Sequence, residues 1–211
     1  MKKVYSILLG AALMLVGSQA YAQLAVGAGY LSTSEKFEYD LAGTTHTDKG
    51  SLDGFYAGAT YGLDLSNIVD GLGLEPGAFV QFGFDKDGDT DAKHTLIALQ
   101  VPVNFKYTYA LDGDLNIFGL LGPAFQFGLS NKIKAENAGT TVTDNLYDSD
   151  YPAQIGRFNV QLGIGAGIEF GGKFQIRVGY DFGLLNLYKG DGDFKYTNPG
   201  QFKFGVAYVL F

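Results

Sequence analysis

Two histidines, His46 and His94, and no cysteine restrict the chemistry this chain can do. Without a thiolate, nucleophilic catalysis would have to use a serine activated by one of those imidazoles. No serine stands beside either histidine in a recognisable spacing or motif, and both histidines fall at or in outer loops of the strand pattern set out below. With no base and nucleophile in view, the expectation is a protein without catalytic activity or cofactor. Disulfides and thiolate metal sites are excluded by the same composition.

A second candidate is the acidic run Asp85-Lys86-Asp87-Gly88-Asp89-Thr90-Asp91, which begins like a calcium loop with Asp85, Asp87, Asp89 and Asp91 as ligands. Thr90 occupies the position where such a loop needs its turn glycine, and Leu96 stands where a bidentate Glu belongs. A solvated hairpin tip fits the residues better than a metal site. The weaker alternative is a Ca²⁺ or Mg²⁺ contact at a lipopolysaccharide surface.

The third candidate is a set of charges whose meaning depends on the elements that carry them. Lys2 and Lys3, an apolar run from Val4 to Val16 and the small-residue exit Ala20-Tyr21-Ala22 have the layout of a secretory signal peptide cleaved after Ala22. The apolar run is too short for a helix that must cross about 30 Å of hydrocarbon. Gln23 to Phe211 then form one domain. Losing Lys2 and Lys3 takes the formal net charge from −7 to about −9, which disfavours a polyphosphate partner and so excludes nucleic acid.

Period two runs through that domain. Phe158, Val160, Leu162, Ile164, Ala166, Ile168 and Phe170 alternate with Arg157, Asn159, Gln161, Gly163, Gly165, Gly167 and Glu169; Phe174 to Leu184 repeats the pattern. The non-apolar phase is rich in Gly, Gln and Asn with isolated charges, unlike the Lys, Glu and Thr of a solvated sheet. Small residues of this kind belong inside a narrow closed barrel. Leu24–Ser34, Phe55–Leu63, Leu74–Phe84, Thr95–Tyr109, Leu115–Leu129 and Phe202–Leu210 extend the series to about eight strands. The predicted fold is all-β: a membrane-spanning antiparallel up-and-down β-barrel in the bacterial outer membrane. Tyr30, Phe84, Tyr107, Tyr109, Phe127, Phe170, Phe174 and Tyr208 fall on the outward phase near strand ends, as do Tyr61 and Tyr180, where lipid-interface girdles form.

Turn lengths orient the barrel. Gly171-Gly172-Lys173 and Leu111-Asp112-Gly113 are three-residue turns at one end, with Asp64–Gly73 as a longer connection holding a helical turn at Ser66–Val69. Tyr39–Ser51, Asp85–Lys93, Asn131–Gln154 and Tyr188–Asn198 are long loops at the other end, the extracellular one. On the inferred outward phase of the last strand Phe211 is out of step, which requires a bulge or a place at the rim. Recognition by the barrel-assembly machinery would then rest partly on Tyr208 and Leu210.

With phases assigned, the inward charges fall into two layers: Glu75, Lys106, Glu169 and Arg177 toward the periplasm, and Arg157, Asp181 and Lys203 toward the outside. In so narrow a lumen they are expected to neutralise one another in a hydrogen-bonded plug, with Arg177 opposite Gly167 and one diagonal step from Glu169. A small gated conduit is the alternative.

Three stretches resemble a known family: Leu99-Gln100-Val101-Pro102-Val103-Asn104-Phe105-Lys106-Tyr107, Gly119-Leu120-Leu121-Gly122-Pro123-Ala124-Phe125, and Gly163–Glu169 followed by Arg177–Leu187 with Tyr180-Asp181-Phe182-Gly183-Leu184. They are similar to strands of the PorT-like outer-membrane β-barrel proteins of Gram-negative Bacteroidota. The resemblance implies the barrel fold and, in one secretion-linked branch, an accessory role in a secretion or assembly machine. Function is otherwise expected to be structural or surface-binding and carried by the extracellular loops of a monomer. Its expected surroundings are outer-membrane lipid and lipopolysaccharide, with an extracellular or periplasmic protein partner as a further possibility and a narrow small-solute channel as the alternative role.

Overall fold

Alternating side chains put one face of each segment against lipid and the other into a lumen, and only a closed sheet satisfies every backbone group in that setting. The computed structural model describes residues 23–41, 44–85, 92–111, 113–137, 140–147, 155–189 and 194–211. The expected signal segment, 1–22, lies outside the described residues. Among the described residues nine strands form: β1 (Gln23–Leu41), β2 (Thr44–Asp64), β3 (Leu72–Asp85), β4 (Ala92–Ala110), β5 (Leu115–Asn137), β6 (Thr140–Asn145), β7 (Phe158–Phe170), β8 (Phe174–Gly183) and β9 (Lys195–Val209). Eight of them close a ring, each antiparallel to its neighbours, through the β4–β5 and β1–β9 pairings. β6 is not a barrel stave; it pairs only with the outer end of β5, Lys132 to Asn145 through Asn137 to Thr140.

Among the described residues no helix is long and apolar enough to span a membrane. The outward row of β7 from Phe158 to Phe170 is exposed except for the half-buried Val160, as are Phe105, Leu121, Phe204 and Val206 on other strands. Aromatic rings gather at both edges of this belt. Phe55 and Phe84 lie 5.9 Å apart and Phe127 and Phe158 5.0 Å apart on one side, Phe174 and Tyr208 5.0 Å apart on the other.

The hairpin from Phe170 to Phe174 closes as the sequence predicts, with Gly171 and Gly172 at φ +58° and +64°, a conformation that L side chains rarely adopt. The β4–β5 turn differs by one step: Leu111 donates to the Leu115 carbonyl at 2.9 Å and Ala110 pairs with Asn116, not Asp114. The shift preserves phase because the partner of Ala110 moves by two residues. In the longer connection, Ile68 and Val69 donate to the Leu65 carbonyl at 2.9 and 3.3 Å, a single helical turn, and Asp64 caps it by accepting from the Ser66 amide at 2.8 Å.

The expected loops are the main departure. Tyr39–Ser51 is not a loop: β1 and β2 stay paired from Gln23–Gly62 out to Leu41–Thr44, well above the aromatic girdle. Thr44 to Ser51 is exposed on both faces, so no hydrophobic alternation marks it. Hairpin pairing, the pairing of Lys36–Glu38 with β9 and the stacking of Tyr39 on His46 and Phe194 hold this extension, contributions that a one-residue pattern cannot reveal. Phe211 stands at the rim, exposed just past the end of β9, and its carbonyl accepts from the Leu24 amide at 3.0 Å without a bulge there.

Orientation has a direct check. A cysteine at Thr47, on the long hairpin, is expected to react with an impermeant maleimide on intact cells, while one at Gly172 reacts only after permeabilisation. Labelling of Gly172→Cys from outside would invert the topology.

Candidate functional site

Inward residues of eight strands converge in a lumen only wide enough for their own side chains. At the periplasmic level, β3 supplies Glu75, β4 Lys106, β5 Asn116 and Phe118, β7 Glu169, and β8 Gln175 and Arg177. Arg177 spans the lumen to Glu75 with a two-pronged pair, Nη1 to Oε1 at 2.6 Å and Nη2 to Oε2 at 2.9 Å. Its Nε donates to the Gln175 amide oxygen at 2.9 Å. Gln175 donates in turn to Glu169 at 2.6 Å, and Asn116 donates to the other Glu169 oxygen at 3.1 Å. Lys106 stands between the two carboxylates, 3.8 Å from each, with its ammonium 4.5 Å from the Phe118 ring centre.

Arg177 does face Gly167, but its carboxylate partner is Glu75 on the opposite wall, not the neighbouring Glu169. Gly167 has no side chain where Phe118 packs, so the ring fills the space beside the guanidinium. Fork geometry favours this choice, since one carboxylate accepting two parallel N–H bonds satisfies both oxygens at once.

Above this tier lies a layer of amides. Gln126 donates to Gln81 at 2.8 Å, Gln81 to Gln201 at 2.9 Å, and Gln201 to the Thr33 hydroxyl at 2.7 Å. Gln100 donates to Gln161 at 2.6 Å and to Asp181 at 2.8 Å, while Lys203 pairs with Asp181 at 2.6 Å. Of the residues in this layer only Lys203 is half-buried; Thr33, Gln81, Gln100, Gln126, Gln161, Asp181 and Gln201 are buried. The lumen is therefore obstructed by satisfied hydrogen bonds as well as by bulk. A cavity of about 350 Å³ opens below the lower tier, bounded by Asp64, Thr108, Asn116, Glu169 and Gln175. Between the tiers only about 70 Å³ remains.

Arg157 departs from the expected layer. It precedes β7 instead of entering the barrel, is exposed, and lies 4.8 Å from the Tyr147 ring centre with Nη1 3.4 Å from the Leu129 carbonyl. The phase assigned to it was that of Asn159 and Gln161, but strand pairing begins only at Phe158. Of the acidic run, Asp85 ends β3 and is exposed, whereas Asp87, Asp89 and Asp91 lie outside the described residues. Among the described residues no three His, Cys, Asp or Glu side chains group as a metal site.

A third tier was not anticipated. Glu35, buried on the inward phase of β1, accepts a hydrogen bond from the Tyr196 hydroxyl and lies 3.5 Å from His94 Nδ1. His94 Nε2 is 2.5 Å from Asn131 Oδ1. This group is above the girdle: His94 is more residues from Tyr107 than a roughly 25 Å apolar band occupies along a strand. Burial disfavours the His94 charge, but the hydrogen bond and the charge of Glu35 outweigh it and raise its pKa above the ordinary value. Burial, then Glu35, drives the Tyr196 hydroxyl well up. Tyr196 also joins Leu146, Ile155 and Leu187 in an apolar cluster, with Ile133, Tyr147 and Tyr188 against it, that caps the extracellular mouth. The signal for Glu35 was its parity with Leu31 and Thr33; its partners lie far along the chain and carry no local mark.

The family described as outer membrane protein beta-barrel domain matches residues 18–189. The chain belongs to that family. It is an integral β-barrel protein of the outer membrane of Gram-negative bacteria, and the ring closed by β9 completes the matched segment. Solved barrels similar in fold include Ail, the attachment invasion locus protein of Yersinia pestis, at 16% identity over 90% of this chain and 99% of its own, with TM-score 0.41. Neisserial surface protein A is 15% identical over 90% and 99%, TM-score 0.42. OprG from Pseudomonas aeruginosa is 13% identical over 90% and 96%, TM-score 0.44. No curated protein matches this outer-membrane barrel.

Proposed function

We propose that this barrel is a closed, monomeric outer-membrane protein whose role is structural or surface-binding and carried by its extracellular hairpins. One observation carries the reading: the lumen is filled by two paired tiers and capped by a third, while β1–β2 and β5–β6 extend as sheet beyond the girdle. Buried charges and amides linked in this way resist hydration, because opening a path through them gives up several charge-assisted hydrogen bonds together. Catalysis has no support from the half-buried His94, since both its ring nitrogens face oxygens of Glu35 and Asn131 and neither is left to activate a nucleophile.

Planar-bilayer recording tests the reading. The purified protein is expected to insert without steady conductance. A reproducible open level at low voltage would instead make it a small-solute channel, and a stoichiometric protein partner recovered from native outer membranes would favour the accessory role implied by the PorT-like strands.

A further inference from the structure

The geometry points to Glu35 and His94 as a proton-operated latch that holds the extracellular cap on the barrel. Glu35 has partners from two sides of the mouth, His94 on β4 and Tyr196 on β9, and Tyr196 is itself part of the apolar cap. Backbone bonds tie the remaining cap to the same residues: Leu187 donates to the Tyr196 carbonyl at 2.7 Å, Gly156 to Leu187 at 2.6 Å, and Leu146 to Asn131 at 2.8 Å. Displacing the histidine therefore disturbs one carboxylate, one tyrosine and the apolar cap together.

Both imidazole nitrogens face oxygen atoms, an arrangement that suits the doubly protonated ring because each N–H then has an acceptor. The groups bearing on the pair come from every wall. Glu35 of β1, Asn131 of β5 and Asp85 of β3 act on His94; Tyr196 of β9 and Tyr147 beyond β6 act on Glu35, with Arg157 against the Tyr147 ring. β2 brings Gly50 beside Glu35 and so adds no charge. The raised pKa of His94 fixes the sign. Its contribution is fully present below about pH 6.5, the ordinary histidine value, and is lost as pH climbs through the higher folded value. Deprotonation leaves Glu35 buried without a cation, a state that favours rearrangement over retention.

The closed cap also covers polar side chains of the lumen. Asn159 Oδ1 and Nδ2, Gln161 Nε2 and Asn198 Oδ1 are buried without a protein partner directly beneath it. Below them the amide layer remains closed; the latch exposes the chamber under the cap and not a through pore.

The chain contains no cysteine, so a single introduced thiol reports the cap cleanly. Leu187→Cys, buried in the cap, is reacted with a charged methanethiosulfonate in folded protein, and its rate is divided by that of Thr47→Cys on the exposed hairpin to remove the pH dependence of the thiol. The ratio is expected to be low near about pH 5.5 and to rise about tenfold or more by about pH 9. With His94→Gln it should be independent of pH. Ile155→Cys provides the same readout should Leu187→Cys fold poorly. A ratio that does not change with pH in the parent, or a pH response that survives His94→Gln, overturns the latch. Bilayer conductance stays silent at both pH values if the latch and the closed lumen both hold, and a pore that opens at high pH would refute the closed lumen while leaving the latch standing.

Discussion

Glu75→Gln is expected to be among the most damaging single changes in this barrel, destabilising it by about 3 to 5 kcal/mol, with Arg177→Gln close behind. The reason is the sharing of Glu75. It holds both prongs of Arg177 at 2.6 and 2.9 Å and lies 3.8 Å from Lys106, so its neutralisation leaves two cations with Glu169 as their one carboxylate. Arg177→Gln is milder because Lys106 still stands beside the Glu75 charge. Glu75→Gln combined with Arg177→Gln keeps the Lys106–Glu169 pair balanced and should sit closer to wild type than either single variant. Urea titration of folding into lipid vesicles measures all three, and the double-mutant cycle gives the coupling. Single effects that simply add would mean that water already screens these charges, and the lumen would then be a hydrated passage.

That network also marks the limit of what the sequence discloses. Inward parity identified Glu75, Lys106, Glu169 and Arg177 as one tier, because side-chain direction in a strand depends only on odd or even position. It could not say that Arg177 selects Glu75, since the partner across a lumen depends on the stagger between strands far apart in the chain. The diagonal neighbour Glu169 was the natural choice from hairpin geometry; the observed bonds send it to Asn116 and Gln175 instead. The glutamine layer has the same character. Each Gln was legible as polar and inward, yet whether it meets an amide, a hydroxyl or an ammonium is a property of the closed ring. Arg157 failed for the opposite reason: parity was extended one residue beyond the point where pairing starts. Above the girdle the apolar half of the alternation disappears, because no lipid contacts the strand there, and Thr44 to Ser51 carries no periodic signal although it is paired throughout.

Ile164→Arg should cost about 2 to 4 kcal/mol, whereas Phe170→Arg at the edge of the belt should cost about 0 to 1 kcal/mol. Ile164 is the middle member of the outward row that runs from Phe158 to Phe170 on β7, and it is exposed to the surroundings of the barrel with no protein side chain to hide a guanidinium. At that depth an arginine must bend toward a distant interface or draw water and headgroups inward, and both are unfavourable. From position 170 the same side chain reaches the polar boundary directly. The adjacent inward site supplies the internal control. A Cβ built on Gly163 comes 2.7 Å from Asp181 Oδ1, while Gln100 and Lys203 hold the other oxygen, so Gly163→Ser must turn one carboxylate oxygen inside the lumen but brings no charge into lipid. Folding free energies in bilayers of defined thickness should rank Ile164→Arg well above both others. Equal penalties for Ile164→Arg and Gly163→Ser would mean that the lipid and lumen faces are interchanged; equal penalties for Ile164→Arg and Phe170→Arg would mean that the belt between the aromatic girdles is not the part of the strand that hydrocarbon covers.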